Sequence, residues 1–151
     1  MKRLLVVLTL AAGMAACNSG NQSANADEAP LNDSLKQAAL RDSSNYTTVE
    51  WVDSTFQDIG SIKKGQTVEI PFVVKNTGDK PLIISSVNPG CGCTVADKPE
   101  KPIMPGQEDK IVARYNSTGQ PTGTHTKNVK VRANTKPTTD HLLLFKVTVT
   151  D

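Results

Sequence analysis

The chain has 151 residues, of which 37% are hydrophobic and 21% are charged, and its formal net charge is +2. This length fits one domain with a core of its own, and the composition is that of a globular protein rather than a disordered or fibrous one. Aromatic residues are few, with one Trp, two Tyr and three Phe. Because nucleic-acid surfaces need aromatic stacking platforms or a strong basic charge, we expect no nucleic-acid partner.

The first sixteen residues have the layout of an export signal. Lys2 and Arg3 precede an uncharged stretch over residues 4–16 that ends in small residues, which is typical of a secretory signal peptide. This stretch is shorter than the roughly 20 apolar residues that span a bilayer, and no later stretch approaches that length. We therefore predict that residues 1–16 are a signal peptide, that the protein is exported, and that it has no transmembrane helix.

The end of this segment resembles a bacterial lipobox, in which small residues precede a cysteine that becomes acylated. The residues are Met14-Ala15-Ala16-Cys17, with Met14 where leucine is usual. An ordinary signal peptide with an incidental cysteine is the alternative. We predict lipidation at Cys17, which would hold the protein on the cell membrane or the outer membrane, facing the periplasm or the cell surface. Of the three cysteines, Cys91 and Cys93 then remain as a pair.

Residues 17–48 are predicted to be a flexible tether. Residues 18–30 include no large apolar side chain, so nothing in that part favours burial. The segment from Leu31 to Asp42 can form a short helix with Asn32 or Asp33 as its N-cap, although a helix of this length is marginal alone and the alternative is that it stays part of the linker. We place the folded domain at residues 49–151.

The domain has the alternating pattern of β-strands separated by Gly, Pro and Asn turns. Because Pro71 cannot donate a ladder hydrogen bond, its strand should be an edge or be irregular at that point. Several short strands and no convincing helix predict an all-β fold, a β-sandwich, with an up-and-down barrel as the main alternative. The apolar positions that define the strands are Val68, Ile70, Phe72 and Val74; Leu82 to Val87; Ile111, Ala113 and Tyr115; Val129, Val131 and Ala133; and Leu143, Phe145, Val147 and Val149.

An ordered series of motifs runs from Phe56 to Val149: Phe56 to Ile62 with Lys64-Gly65, Phe72 to Gly78 with Pro81-Leu82, Cys91-Gly92-Cys93-Thr94, Ile103 to Gly106, Tyr115 to Ser117, and Ala133 to Thr135. In order and spacing the series resembles the bacterial domain of unknown function 1573 family, whose most specific signature is the Cys-Gly-Cys-Thr element. The resemblance implies an immunoglobulin-like β-sandwich, similar to domains of sperm-protein and cilium-associated repeats, in an exported bacterial protein. It implies no known activity.

Cys91 and Cys93 are the only candidate chemical pair in the domain. In an extended strand, residues two apart are separated by about 6.6 Å, whereas a disulfide needs Cβ atoms about 3.5–4.5 Å apart. A bridge therefore requires a bend, which Gly90 and Gly92 permit, and an oxidising periplasm favours it. Three interpretations stay open: structural packing or a structural bridge, a thiol redox pair, and a Cu(I) site.

The other conspicuous residues have ordinary structural explanations. Asn76 and Gly78 tolerate positive φ, and Pro105 followed by Gly106 suits a tight turn, so we interpret all four as turn residues. His125 and His141 are expected to be surface histidines.

The sequence contains no Ser-His-Asp motif, phosphate loop or spaced metal-ligand motif. Our first hypothesis is a non-catalytic, membrane-anchored binding or scaffold module of the cell envelope, not an enzyme, with no cofactor and with a protein or envelope polymer as partner. The alternative is an envelope thiol-redox or Cu(I)-handling protein that uses Cys91 and Cys93.

Overall fold

A computed structural model describes residues 32–151 as two four-stranded sheets preceded by a short helix. One sheet has the strand order β1-β3-β6-β5 and the other has the order β2-β8-β7-β4. The elements are α1 (Asp33–Arg41), a 3-10 turn (Ser43–Asn45), β1 (Val49–Trp51), β2 (Phe56–Lys63), β3 (Thr67–Asn76), β4 (Ile84–Pro89), β5 (Thr94–Asp97), β6 (Glu108–Asn116), β7 (Gly123–Ala133) and β8 (Asp140–Thr150).

The core lies between the two sheets. The alternating apolar residues of β3, β6, β7 and β8 point inward and are buried, because successive side chains of a strand face opposite sides of its sheet. Two separate sheets confirm the all-β sandwich and exclude the barrel. The largest fully buried side chains are Tyr115, Phe72, Phe145, Ile70, Leu82, Ile111 and Leu143.

Pro71 lies in the part of β3 that pairs with β6 but not with β1. β1 pairs only with residues 74–76 of β3, while β6 pairs with the whole of β3 and places Val112 opposite Pro71. The Pro71 carbonyl accepts a hydrogen bond from Gln57 Nε2 at 2.6 Å, outside the ladder. The expectation that the strand is locally an edge at this proline is confirmed.

Two strands differ from what periodicity indicated. Leu82 belongs to an isolated antiparallel bridge with Ile103, and β4 begins two residues later at Ile84, so the predicted strand from Leu82 to Val87 is shifted. β2 pairs in parallel with β8, a long-range pairing that no local pattern specifies.

The segment before Val49 also packs on the sandwich. Asn32 caps α1 by accepting from the Leu35 N–H at 2.9 Å, Ala39 is buried, and α1 contacts β4. Thr47 is fully buried, and its N–H donates to Asn134 O at 3.0 Å. Packing therefore begins before Val49, where the sequence alone placed the start of the domain. The predicted signal peptide, Cys17 and the first part of the predicted tether lie outside the described residues.

Candidate functional site at the Cys91–Cys93 turn and the β4–β5 groove

The turn of Cys91, Gly92 and Cys93 carries the chain from one sheet to the other. Just before it, the Gly90 N–H donates to Asn128 O at 2.9 Å in the β4 sheet. Within it, Cys93 O accepts from the Asn116 N–H at 2.9 Å in the β5 sheet. The turn therefore joins β4 and β5, which are the outermost strands of their sheets on the same side of the sandwich.

Cys91 and Cys93 form a disulfide in this structure, and their Cα atoms are 5.3 Å apart. This separation is shorter than the roughly 6.6 Å of an extended strand, so the bend that the sequence required is present. The turn is closed by the Thr94 N–H, which donates to Cys91 O at 3.3 Å. Because Cu(I) is bound by thiolate sulfur, any copper chemistry here would require prior reduction of the bridge.

The two glycines beside the cysteines have different roles. Gly92 is exposed, and a Cβ atom added there would meet nothing within 4 Å. A Cβ atom on Gly90 would lie 2.6 Å from Asn128 Oδ1, which is closer than side chains approach each other. A side chain at position 90 would therefore displace the Asn128 amide.

The sulfur atoms lie beside a buried polar pair. Thr94 Oγ1 is 3.5 Å from Cys91 Sγ and 3.9 Å from Cys93 Sγ. Thr94 is opposite Tyr115 in the ladder, and both side chains are buried. The Tyr115 hydroxyl has no hydrogen-bond partner among the described residues, and its burial raises the pKa of the phenol.

A groove of about 660 Å³ runs along the same side of the sandwich. Its walls are residues 85–87 of β4 and residues 96–98 of β5 and its extension, with Glu100 and Lys36 of α1 completing the lining. This volume is within the range of small-ligand sites, about 300–1,000 Å³.

Two lysines, Lys36 and Lys98, line this groove. The Lys36 side chain is only 15% exposed and pairs with Asp33 at 3.4 Å. Lys98 Nζ donates to Ile84 O at 3.2 Å. Burial lowers the pKa of Lys98, and the nearby charge of Lys36 lowers it further, against smaller opposing effects of Asp33 and Glu100. A positive charge at Lys36 thus disfavours a positive charge at Lys98.

The predicted turn residues lie at the opposite end of the sandwich, and two of them act differently from expectation. Asn76 is fully buried; its Nδ2 donates to Lys80 O and Ile103 O, both at 2.8 Å, and its Oδ1 accepts from Thr47 Oγ1 at 2.8 Å. Neither Asn76 nor Gly78 has a positive φ. Gly78 is needed because an added Cβ atom would collide with the Thr47 side chain and the Thr48 backbone.

Pro105 and Gly106 form a turn of the expected kind. Gly106 has a φ of 80°, in the left-handed region that favours glycine. Its N–H donates to Asn76 O at 2.8 Å. This turn therefore also helps to hold the Asn76 loop.

His141 is partly buried, which differs from the surface position expected from the sequence. Trp51 Nε1 donates to His141 Nδ1 at 3.4 Å, and His141 Nε2 is 2.8 Å from Thr135 Oγ1, whose own proton goes to Thr138 O at 2.6 Å. Since Trp Nε1 is only a donor, this network assigns the neutral tautomer with its proton on Nε2. Burial lowers the pKa of His141, opposed by Asp140.

His125 is partly exposed, and its Nε2 lies 2.8 Å from Pro121 O. Asn134, which the sequence indicated only as part of the motif from Ala133 to Thr135, is 1% exposed. It accepts from the Ile83 N–H and donates to Asn45 O and Pro81 O, so it joins three segments of the chain. No local pattern distinguishes this asparagine from an ordinary turn asparagine.

Over residues 32–151, no helix is both long and apolar enough to cross a membrane. In the same part of the chain, no group of three or more His, Cys, Asp and Glu side chains is arranged to hold a metal ion.

The family model described as "Protein of unknown function (DUF1573)" matches residues 49–149. The chain belongs to the DUF1573 family. This match confirms the resemblance drawn from the motifs between Phe56 and Val149, and it extends that resemblance to include β1. A comparison with curated proteins found no match.

Solved structures share this DUF1573 fold at low identity. A protein of unknown function from Porphyromonas gingivalis W83 has a TM-score of 0.62 and 17% identity, over 71% of this chain and 49% of that chain. The secreted serine protease VesC from Vibrio cholerae has a TM-score of 0.51 and 13% identity, over 80% of this chain and 26% of that chain. The chain thus spans about half of the first protein and about a quarter of the second. At these identities the likeness concerns the fold alone.

Proposed function

We propose that this chain is a membrane-anchored, non-catalytic binding module of the bacterial cell envelope. Its partner is a protein or an envelope polymer, and the free edge of β5 favours a protein segment in extended conformation. The supporting observation is that, within residues 32–151, β5 is the last strand of its sheet and pairs only with β6. An extended segment can add to such an edge through main-chain hydrogen bonds.

The backbone of β5 offers groups for this pairing. In an antiparallel pair, alternate residues direct their N–H and C=O groups to the neighbouring strand. Cys93 O accepts from Asn116 N, so the groups of Val95 and Asp97 also face β6, and those of Thr94 and Ala96 face away from it. The Thr94 N–H is used within the cysteine turn. Thr94 O and both backbone groups of Ala96 are therefore available for a partner strand.

The neighbouring edge of β4 is less accessible. α1 packs against β4, and Lys98 Nζ occupies the Ile84 carbonyl. The register of β4 also shifts between Ile84 and Ser86, an irregularity of the kind that protects sheet edges. Of the two edges beside the groove, β5 is thus the better candidate for strand addition. Val95, which lies on β5, is 57% exposed.

The edge is tested by placing a photo-crosslinking amino acid at Val95 in cells that express the full chain. A matched control places it at Glu50, which is exposed on β1 at the opposite edge of the same sheet. We expect a discrete protein adduct from position 95 and not from position 50. Equal adducts from both positions, or none from position 95, would contradict binding at β5.

Anchoring rests on Cys17 and its preceding small residues. Because acyl chains supply the membrane affinity, Cys17→Ser should abolish labelling by a fatty-acid probe and leave the protein unprocessed or soluble. Equal label on the wild type and the variant would disprove lipidation. Cys91→Ser is the matched control, and it should keep the label.

The disulfide favours a second candidate, a thiol-redox function. Both cysteines are partly exposed, and Gly92 between them is open to solvent. A partner thiolate would attack one sulfur, the Cys91–Cys93 bond would break, and a mixed disulfide would form. A second partner thiol would then displace the reduced pair, so that the partner is oxidised. Equilibration in glutathione buffers, followed by mass measurement, tests this: a bridge that stays oxidised across physiological glutathione ratios would exclude the exchange.

A further inference from the structure

The β4–β5 groove contains an incompletely compensated pair of cations, Lys36 and Lys98. They come from different elements, since Lys36 lies on α1 and Lys98 follows the last residue of β5. Both line the groove. The Lys36 side chain is 15% exposed, and cations that buried are normally paired.

The neighbouring carboxylates compensate this pair only in part. Asp33, which pairs with Lys36, is 97% exposed, and an ion pair with so exposed a partner is strongly screened. Asp97 is held by Arg114 at 2.6 Å. Glu100 acts on Lys98 less strongly than Lys36 does. The charged side chains of the groove balance in number, but its carboxylates are exposed, whereas Lys36 and Lys98 are partly buried.

We propose that Lys36 and Lys98 bind a carboxylate of an acidic peptide segment whose backbone pairs with β5. This inference rests on the proposed function and adds the chemistry of the partner. A carboxylate between the two ammonium groups would relieve their repulsion and form charge-assisted hydrogen bonds.

Three observations favour a peptide over a charged polysaccharide. The lysine pair lies directly beyond the end of β5, so one extended segment can reach both features. The free backbone groups of Thr94 and Ala96 match the alternation of a peptide main chain. Ser86 Oγ accepts a hydrogen bond from Asn88 Nδ2 at 3.3 Å. The hydroxyl proton of Ser86 can therefore be donated to a carboxylate in the groove.

The experiment is a display selection with the full chain in detergent micelles. The probe is a library of random heptapeptides, and the readout is the frequency of Asp and Glu in enriched peptides relative to the input library. The wild type is compared with the K36Q/K98Q variant and with K63Q/K130Q, which removes two exposed cations from the other sheet. Thermal melts establish that each variant is folded, and K98R retains the charge if K98Q is unstable.

We expect acidic enrichment with the wild type, K63Q/K130Q and K98R, and its loss with K36Q/K98Q. Individual acidic peptides should bind the double variant about tenfold more weakly, because charge-assisted bonds at partly buried sites are lost. Enriched peptides without acidic residues, or unchanged enrichment in K36Q/K98Q, would overturn the inference. Polygalacturonate, a carboxylated polysaccharide, is the second probe. If it binds in a lysine-dependent way while acidic peptides are not enriched, the inference of a peptide partner is overturned.

The crosslinking and selection experiments together distinguish a failure of the lysine inference from a failure of the proposed function. If position 95 crosslinks a partner in cells but the selection shows no lysine-dependent acidic preference, the lysine inference fails and strand addition at β5 stands. If position 95 gives no adduct, the proposed function fails, and the lysine inference that rests on it fails as well.

Discussion

Asn134 offers the sharpest test of how this sandwich is held together at the end opposite the cysteine turn. Its side chain accepts from the Ile83 N–H at 2.6 Å and donates to Asn45 O at 2.7 Å and Pro81 O at 3.0 Å. Asn134→Ala would remove all three bonds. The Ile83 N–H donor and the carbonyl acceptors of Asn45 and Pro81 would then lack this partner. An unsatisfied buried group costs about 1–3 kcal/mol. Because these contacts are only partly buried, we take the lower value for each and expect a loss of about 3 kcal/mol.

The assay is urea unfolding at pH 7 followed by tryptophan fluorescence and circular dichroism. For the 120 residues of the folded part (32–151), a loss of about 3 kcal/mol should also lower Tm by roughly 12 °C in a parallel thermal melt. The matched control is Asn88→Ala, since Asn88 is exposed and donates one bond of 3.3 Å to Ser86 Oγ. Its substitution should change the free energy of unfolding by less than about 0.5 kcal/mol.

A second substitution at the same position separates hydrogen bonding from packing. Asn134→Asp keeps the shape and the acceptor for Ile83 N–H, but it directs a carboxylate oxygen at the Asn45 and Pro81 carbonyls. At pH 7 it should be at least as destabilising as Asn134→Ala, and it should recover as the carboxyl is protonated and regains a donor. If Asn134→Ala resembles Asn88→Ala, the three bonds do not stabilise the fold and this reasoning is wrong.

Three further predictions concern the core, the disulfide and the histidine. Phe72→Ala should cost about 3–5 kcal/mol in a urea melt, since Phe72 is fully buried; an unchanged midpoint would show that the ring does not support the core. Cys91→Ser with Cys93→Ser should lower the free energy of unfolding by only about 1.5 kcal/mol, because the bridge closes a very short loop; a loss above about 4 kcal/mol would show a larger structural role. The lowered pKa of His141 means that the unfolded chain binds a proton below pH 6.5 while the folded chain does not. Stability should therefore fall as pH drops from 6.5 toward the folded pKa, and His141→Gln should remove that slope from the urea midpoints, whereas an identical slope in both proteins would exclude this residue as its source.

The candidate site could be predicted from the sequence only in part. The cysteine pair was evident from its spacing, and the need for a bend followed from strand geometry. The close approach of Gly90 to the Asn128 amide was not predictable, because those residues meet only after β4 and β7 pair. The charge pair in the groove was missed for a similar reason: Lys36 and Lys98 are 62 positions apart in the chain and meet only where α1 packs beside the two edge strands.

The sequence by itself determined the properties that depend on near neighbours along the chain. Alternating apolar residues indicated strands that bury one face, Pro71 indicated an edge or a local irregularity, and Pro105-Gly106 indicated a tight turn. The tertiary structure decided what depends on distant segments. It placed Asn76 and Asn134 in buried networks, bonded His141 to Trp51 and Thr135, and brought β4 and β5 to the same side of the sandwich. The physical reason is that strand character is set by local side-chain periodicity, whereas the partners of a polar group are set by which strands pair, and the parallel pairing of β2 with β8 has no local signal.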